Sequence, residues 1–230
     1  MQNTSEKILT QQQLQPSTLI ELSNIDLFYK KFHALKNLNL QIEKGQILFI
    51  TGASGAGKTS LLKIIGGELK PTTGKVISFS KDLFTTQIFQ DLKLFPKRSG
   101  RENLEMSYDR KVYKNKIEFR EDLEELSRIL GIYDFLELKM SEANGGLKQK
   151  IAFLRAILSR PDVIIADEPT CSLDTENARK IYDILNLYNV KRGLTVIWAT
   201  HNKELIKSFS GKIVHLDRGK LVYSGHACFI

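Results

Sequence analysis

The run Gly52-Ala53-Ser54-Gly55-Ala56-Gly57-Lys58-Thr59 fits G-x-x-x-x-G-K-[ST], the spacing of a phosphate-cradling loop. Glycines let successive backbone N–H groups turn inward on a polyphosphate. Lys58 can then reach the β- and γ-phosphates, and the Thr59 hydroxyl can hold Mg²⁺. A second patch of chemistry lies far downstream. Val163-Ile164-Ile165-Ala166 is an apolar run that delivers two acids, Asp167 and Glu168. Asp167 suits Mg²⁺, directly or through water, and Glu168 suits the orientation and polarisation of an attacking water. Alone, the two acids read equally well as capping or surface groups before Pro169. Paired with the upstream loop, they complete a phosphoryl-transfer site. His201 ends another apolar run, Thr195–Thr200, and could hydrogen-bond a γ-phosphate while holding the water against Glu168. Gln90 ends a short run from Thr86 and could bridge Mg²⁺ and that water.

These residues need a scaffold that brings strand ends together. Gln46–Ile50 reads as a buried strand before the loop, and Ser60–Ile65 as a helix behind it, its N-terminal dipole facing the phosphates. Phosphate contacts are thus expected from Gly52 to Ser60. Leu19–Tyr29, Leu38–Ile42 and Lys75–Phe79 alternate like strands, with a turn at Pro71–Gly74. Strands alternating with helices then imply a largely parallel sheet beside a β-rich N-terminal layer. From Asp91 to about Ala143 the texture changes to that of an inserted helical subdomain. Leu123, Leu126, Ile129 and Leu130 recur at helical spacing as one core-facing stripe, and Gly131 can end that helix. After Gly145-Gly146 a helix from Leu147 to about Ser159 stops at Arg160-Pro161. Asp174 caps the next helix, Lys203–Phe209 reads as a short one, and a hairpin turns at Asp217–Gly219.

A chain of 230 residues, 42% hydrophobic and 26% charged, supports one globular core with an inserted subdomain. No apolar run approaches the ~20 residues that span a bilayer. Residues 1–16, rich in Gln, Ser and Thr, read as a mobile tail without a secretory apolar segment. Cys171 and Cys228 imply no disulfide, and four scattered histidines argue against a zinc site. The net charge of +8 suits polyanions without choosing among them.

In this order, the pieces resemble the ATP-binding subunits of ABC transporters, over about residues 19–225. The resemblance implies an α/β P-loop NTPase core, an N-terminal antiparallel β-subdomain and an inserted helical subdomain at about 91–158, all within one domain spanning 17–230. It implies ATP and Mg²⁺ as ligands, with Thr59, Gln90 and Asp167 linked to the metal. Glu168, His201 and Gln90 take catalytic parts, and Tyr29 stacks on adenine, although a buried strand tyrosine is the plain alternative. Ser172-Leu173-Asp174 matches the family's D-loop. The family signature, usually Leu-Ser-Gly-Gly-Gln, stands here as Ala143-Asn144-Gly145-Gly146-Leu147. Its glycines can still cradle a phosphate, and the Asn144 amide can donate where the serine would; the departure bears on turnover more than on ATP binding.

In the family this segment completes the site of an opposite subunit, so a homodimer formed on ATP is implied. An integral-membrane partner is implied too, at the cytoplasmic face of a bacterial inner membrane. Asp91–Arg98 would be its docking groove, with Leu92, Leu94 and Phe95 as receiving or core residues. Short strings, Phe49 to Lys58 and Ile88-Phe89-Gln90-Asp91, are most similar to the cell-division protein FtsE, whose partner FtsX would control peptidoglycan hydrolases. Lipoprotein- and macrolide-exporter ATPases, an ATP-gated scaffold with little hydrolysis, and a soluble nucleic-acid ATPase stay open beside it. No stable nucleic-acid partner is expected.

Overall fold

The structure, a computed structural model, describes residues 18–78, 83–202 and 206–226. The tail expected at 1–16, the start of the expected helix 203–209, Phe79 and Cys228 lie outside the described residues. Strands β1 (Thr18–Tyr29), β2 (Phe32–Glu43) and β4 (Thr73–Ser78) form an antiparallel sheet in the order β2-β1-β4. Strands β3 (Ile47–Thr51), β5 (Thr85–Ile88), β6 (Val163–Asp167), β7 (Thr195–Thr200), β8 (Lys212–Asp217) and β9 (Lys220–His226) form a second sheet. Its order is β5-β6-β7-β3-β8-β9, parallel except for the β8–β9 hairpin. Helix α1 (Lys58–Ile65) follows β3. Helices α2 (Gly100–Glu105), α3 (Lys116–Ile129) and α4 (Gly145–Leu158) lie between β5 and β6, and α5 (Thr175–Arg192) joins β6 to β7.

The central strands are apolar on both faces because both faces are covered. Along β3, Ile47 and Phe49 face the α4–α5 side, whereas Leu48 and Ile50 face α1 and the smaller sheet. On β6, Ile164 and Ala166 take the first side, and Val163 and Ile165 the second. On β7, Trp198 packs at a tilt against Phe49 and Phe209 on the first side. This period of two aligns the three strands, so their C-terminal ends reach one edge together.

Four helices carry side-chain caps, and on α2 Ser99 accepts from the backbone N–H of Glu102. Asn115 accepts from the backbone N–H groups of Ile117 and Glu118, Asn144 from that of Leu147, and Asp174 from that of Asn177. Helix α4 thus begins two residues earlier than its apolar run suggested. Gly131 closes α3 with φ +65°. The expected stripe on α3 needs one correction. Leu123, Leu126 and Leu130 are buried, but Ile129 is 44% exposed, and Phe119 fills the inward position instead. β2 is longer than expected: it starts at Phe32, and Ala34 and Leu35 add to its buried residues. β5 is shorter and ends at Ile88, so Gln90 stands on a loop. Arg160 ties α3 to the entry of β6: its guanidinium bonds Glu118 at 2.9 Å and Asp122 at 2.8 Å, and lies 3.8 Å from the Tyr113 ring centroid.

Candidate functional site

β3 runs straight into the glycine-rich turn, and α1 starts at its last lysine. Gly52 and Gly57 have no substitute there. Gly52 has φ +155°, and a Cβ would sit 2.5 Å from the Leu216 carbonyl oxygen. Gly57 has φ +107°, and its Cβ would sit 2.8 Å from Leu35 Cδ2. The turn bends around Lys58, whose Nζ donates to the carbonyls of Gly52 at 2.8 Å and Ala53 at 3.2 Å. Lys58 is buried, so a cation sits fixed at the loop's centre.

The acid pair meets the loop. Thr59 Oγ1 donates to Asp167 Oδ2 at 2.7 Å, although the two lie 108 residues apart in the chain. Glu168 takes a left-handed backbone, φ +51°, and its N–H donates to the Ala199 carbonyl on β7. That bend turns its carboxylate across the strand ends. Glu168 Oε1 accepts from the His201 backbone N–H at 2.9 Å and lies 2.8 Å from His201 Nδ1. It is also 3.9 Å from Lys58 Nζ. Backbone strain at a non-glycine residue is affordable only where neighbours fix it, and here they aim a carboxylate. Burial pushes the Asp167 carboxyl up from the usual range, and the charge of Glu168 adds to this; the Thr59 hydroxyl and Lys58 oppose them.

One cleft of about 600 Å³ gathers these groups. Tyr29, Lys58, Thr59, Gln90, Asp167, Glu168 and His201 all line it. Ala53, Ser54, Gly55, Gly57 and Ser60 line it too, with Ser60 Oγ 3.3 Å from Tyr29 OH. Ala56 is the loop residue facing inward, buried in the core beneath. Among the described residues no group of three metal-ligating side chains converges. One hydroxyl and one carboxylate touching each other fit Mg²⁺, which usually keeps several waters and takes the rest of its shell from substrate phosphates. A carboxylate whose charge is disfavoured by burial and by Glu168 gains from such a cation.

Asn144, Gly145 and Gly146 are not in this cleft. They open α4 beside Ser172, where a Cβ on Gly145 would lie 3.4 Å from Ser172 Oγ. Asn144 Oδ1 is spent on the Leu147 N–H at 2.8 Å, which leaves its amide nitrogen to donate outward. In Asp91–Arg98, Leu92 and Lys93 are left-handed, and Arg155 clamps both of their carbonyls at 2.9 and 2.8 Å. Leu94 packs on the core, whereas Phe95 is 49% exposed.

Sequence reasoning gave four residues no place in the site. Phe32, Ala34 and Cys171 line the cleft. Gln149, only 2% exposed, donates to the Glu168 carbonyl at 2.9 Å and accepts from the Ser172 N–H at 2.8 Å. Its signal was its place on the inward face of α4, in step with Phe153 and Ala156.

Comparison with known proteins agrees with this geometry. The family model described as "ABC transporter" matches residues 35–171. The methionine import ATP-binding protein MetN of Bradyrhizobium diazoefficiens is 33% identical over 211 residues, covering 86% of this chain and 61% of that protein. MetN of Helicobacter pylori is 30% identical over 222 residues, covering 90% and 67%. The chain thus spans about six-tenths of the length of the first curated relatives it matches. Among solved structures, the dimeric bacterial ABC transporter cassette MJ0796 superposes with a TM-score of 0.79 at 30% identity, covering 92% of this chain and 100% of that one. A second structure of MJ0796, a dimer in a post-hydrolysis state bound to ADP and Pi, gives 0.78 at 29%. With its phosphate loop, its acid pair and its histidine converging at one sheet edge, this chain belongs to the ABC transporter family.

Proposed function

We propose that this chain is the ATP-hydrolysing subunit of a membrane-coupled ABC system. The observation that carries this reading is the meeting of Lys58, Thr59, Asp167, Glu168 and His201 in one cleft. The nucleotide's triphosphate lies in the Gly52–Ser60 turn, neutralised by Lys58, with its adenine against Tyr29. Bound Mg²⁺, held through Thr59, Asp167 and Gln90, supplies charge neutralisation for the β- and γ-phosphates. Glu168, fixed by His201, orients and deprotonates the attacking water. His201 holds that geometry and donates toward the γ-phosphate.

Two copies pair head to tail, and each offers Asn144, Gly145 and Gly146 to the other's triphosphate. Closure and reopening of this pair drive a separate integral-membrane subunit seated against Asp91–Arg98 at the cytoplasmic face of the inner membrane. The half-exposed Phe95 is that surface's apolar contact. Among the described residues no helix is long and apolar enough to cross a membrane. The helical segment at about 91–158 acts as the subdomain that carries both the docking and the signature residues.

The output favoured is solute import. Likeness to methionine import ATP-binding proteins extends over 86–90% of this chain, whereas likeness to the division protein FtsE rests on short strings around Phe49–Lys58 and Gln90. An FtsE-like role with FtsX is the second reading. Capture of the membrane protein that co-purifies with this chain separates the two: a multi-helix permease supports import, and a four-helix protein with a large outer domain supports division. Glu168→Gln tests the chemistry. It should bind ATP normally, lose phosphate release by about a hundredfold or more, and accumulate as a dimer. Unchanged phosphate release would remove Glu168 from its assigned part.

A further inference from the structure

Helix α4 ends against two stretches of chain that precede it. Arg155 holds the carbonyls of Leu92 and Lys93, and Tyr113 OH donates to the Leu158 carbonyl at 2.8 Å. Arg160, just past the helix, donates to the Val112 carbonyl at 3.2 Å. Arg155 and Leu158 stand about one helical turn apart, so the segment after Leu92 and the loop around Val112 flank the same helix end. From Lys93 to Arg120 the sequence holds nine lysines and arginines against four acids, an excess of five within a net charge of +8. Acid and base alternate along this stretch, but not at its surface. Glu102 accepts from the Ser99 N–H at 2.8 Å and Asp109 from the Lys111 N–H at 2.8 Å. Glu118 accepts from the Lys114 N–H and from Arg160, both at 2.9 Å. Three of the four acids are thus turned back on the fold, and Glu105 lies 3.9 Å from Arg120. Lys97, Arg98, Arg110, Lys111 and Lys116 are exposed, and none of them forms an ion pair among the described residues.

Exposed apolar side chains stand among these cations: Phe95, Met106 and Ile117, the last 67% exposed. Arg98 lies over the Phe95 ring at 5.5 Å. The cavity between Glu105, Tyr108, Lys116, Phe119 and Arg120 holds about 130 Å³. Small-molecule pockets hold about 300 Å³ or more, and peptides dock in a groove or along a strand edge. This face is helix and loop instead. Cations set around single protruding apolar side chains match a plane of anionic headgroups. The apolar tips dip into the boundary while the long basic chains reach the phosphates. Each Lys or Arg held near such a surface raises partition by about fivefold.

On the reading of this chain as membrane-coupled, we infer that the face from Lys97 to Lys116 rests directly on anionic phospholipid headgroups beside the docking segment. The chain then holds the membrane through lipid as well as through a membrane subunit. Co-sedimentation of the full chain with vesicles, no membrane protein present, tests this. The vesicles are phosphatidylcholine alone, or with about 30% phosphatidylglycerol. The chain should pellet with the anionic vesicles near 0.1 M salt and leave them by about 1 M, where the Debye length shrinks to about 3 Å. It should not pellet with the neutral ones. Arg110→Glu, Lys111→Glu and Lys116→Glu together should cut partition by about a hundredfold or more, with Mg·ATP affinity by calorimetry at the parent value. The same change of charge at three exposed lysines elsewhere, Lys44→Glu, Lys70→Glu and Lys75→Glu, should cut it by less than about tenfold. Equal losses in the two triple variants would reduce the effect to bulk charge and overturn the assignment. So would equal retention on neutral vesicles, or none on either. Tighter binding of a DNA duplex than of anionic vesicles at the same salt would give the face to nucleic acid instead. Absence of vesicle binding while a membrane protein still co-purifies removes the lipid contact alone; absence of any co-purifying membrane protein removes the coupled reading beneath it.

Discussion

Asn144→Asp, made in a Glu168→Gln background, separates a structural from a functional asparagine. The Asn144 side chain faces two ways. Its Oδ1 caps α4 through the Leu147 N–H at 2.8 Å, and its amide nitrogen is left as a donor, which under the proposed function would meet a phosphate on a facing copy. Aspartate keeps the cap, and a negative charge at a helix N-terminus adds about 0.3–1 kcal/mol. The isolated variant should therefore melt at the parent temperature or slightly above it. At the outward atom, a donor becomes an anion. A carboxylate about 4 Å from a phosphate charge costs roughly 4 kcal/mol at an effective dielectric near 20. That is about a thousandfold in association. Light scattering against protein concentration in Mg·ATP should show the ATP-driven dimer of the Glu168→Gln chain lost in the double variant, with ATP affinity of the monomer unchanged by calorimetry. Asn144→Ala is the control: it loses the cap, about 1 kcal/mol, and should melt a few degrees lower. Dimerisation as tight in the aspartate variant as in its parent would refute the placement of Asn144 at a phosphate, and a lower melting temperature would refute the capping argument.

Gln149→Leu strips partners from the part-buried Glu168 carbonyl and Ser172 N–H, so it should cost about 1–3 kcal/mol in urea unfolding and also slow phosphate release. A loss under about 0.5 kcal/mol would mean that water replaces the amide. Asp26 responds to acid. The Asn37 N–H, then His33, hold its carboxyl below the usual range. A lowered folded-state value gives stability present above the unfolded value, near pH 4, and lost as pH falls through the folded one. The stability gap between the parent and Asp26→Asn should thus shrink below about pH 4, and a gap constant down to pH 2 would contradict the assignment.

How much of this was legible follows from the range over which each feature is encoded. The phosphate turn is local: eight contiguous residues carry its glycines and its lysine. The acids and His201 were legible because unbroken apolar runs must be parallel, doubly covered strands, and such strands end at a common edge. Register was not encoded locally. Glu168 reaches His201 only because Asp167 pairs beside Ala199 and its own φ turns positive. Phe32 was hidden because Lys30-Lys31 carries no glycine or asparagine to announce a two-residue turn, yet Lys30 adopts φ +54°. Gln149 was hidden between Lys148 and Lys150, where charge suggests solvent, while the helical period points it inward. Ile129 misled in the opposite sense: spacing admitted it to the stripe, but the 14 residues of α3 before Leu130 already presented Phe119, Leu123 and Leu126.

The position of Gln149 gives the split site a mechanical logic. Asn144, Gly145 and Gly146 stand at the start of the same helix that carries Gln149 just one turn later. Gln149 grips the Glu168 carbonyl with one arm and the Ser172 N–H with the other. A phosphate met by the first turn of α4, as proposed, would therefore lie close, through rigid helix and two part-buried hydrogen bonds, to the backbone that sets the Glu168 carboxylate of that same copy's own cleft. Each copy would in this way report the arrival of its partner's nucleotide to its own Glu168. The coupling depends on the bonds rather than on the signature contacts, so Gln149→Leu should lower turnover while ATP still assembles the dimer, whereas Asn144→Asp should prevent assembly at the outset. If the two variants fail at the same step, α4 is only a support and not the link between the clefts.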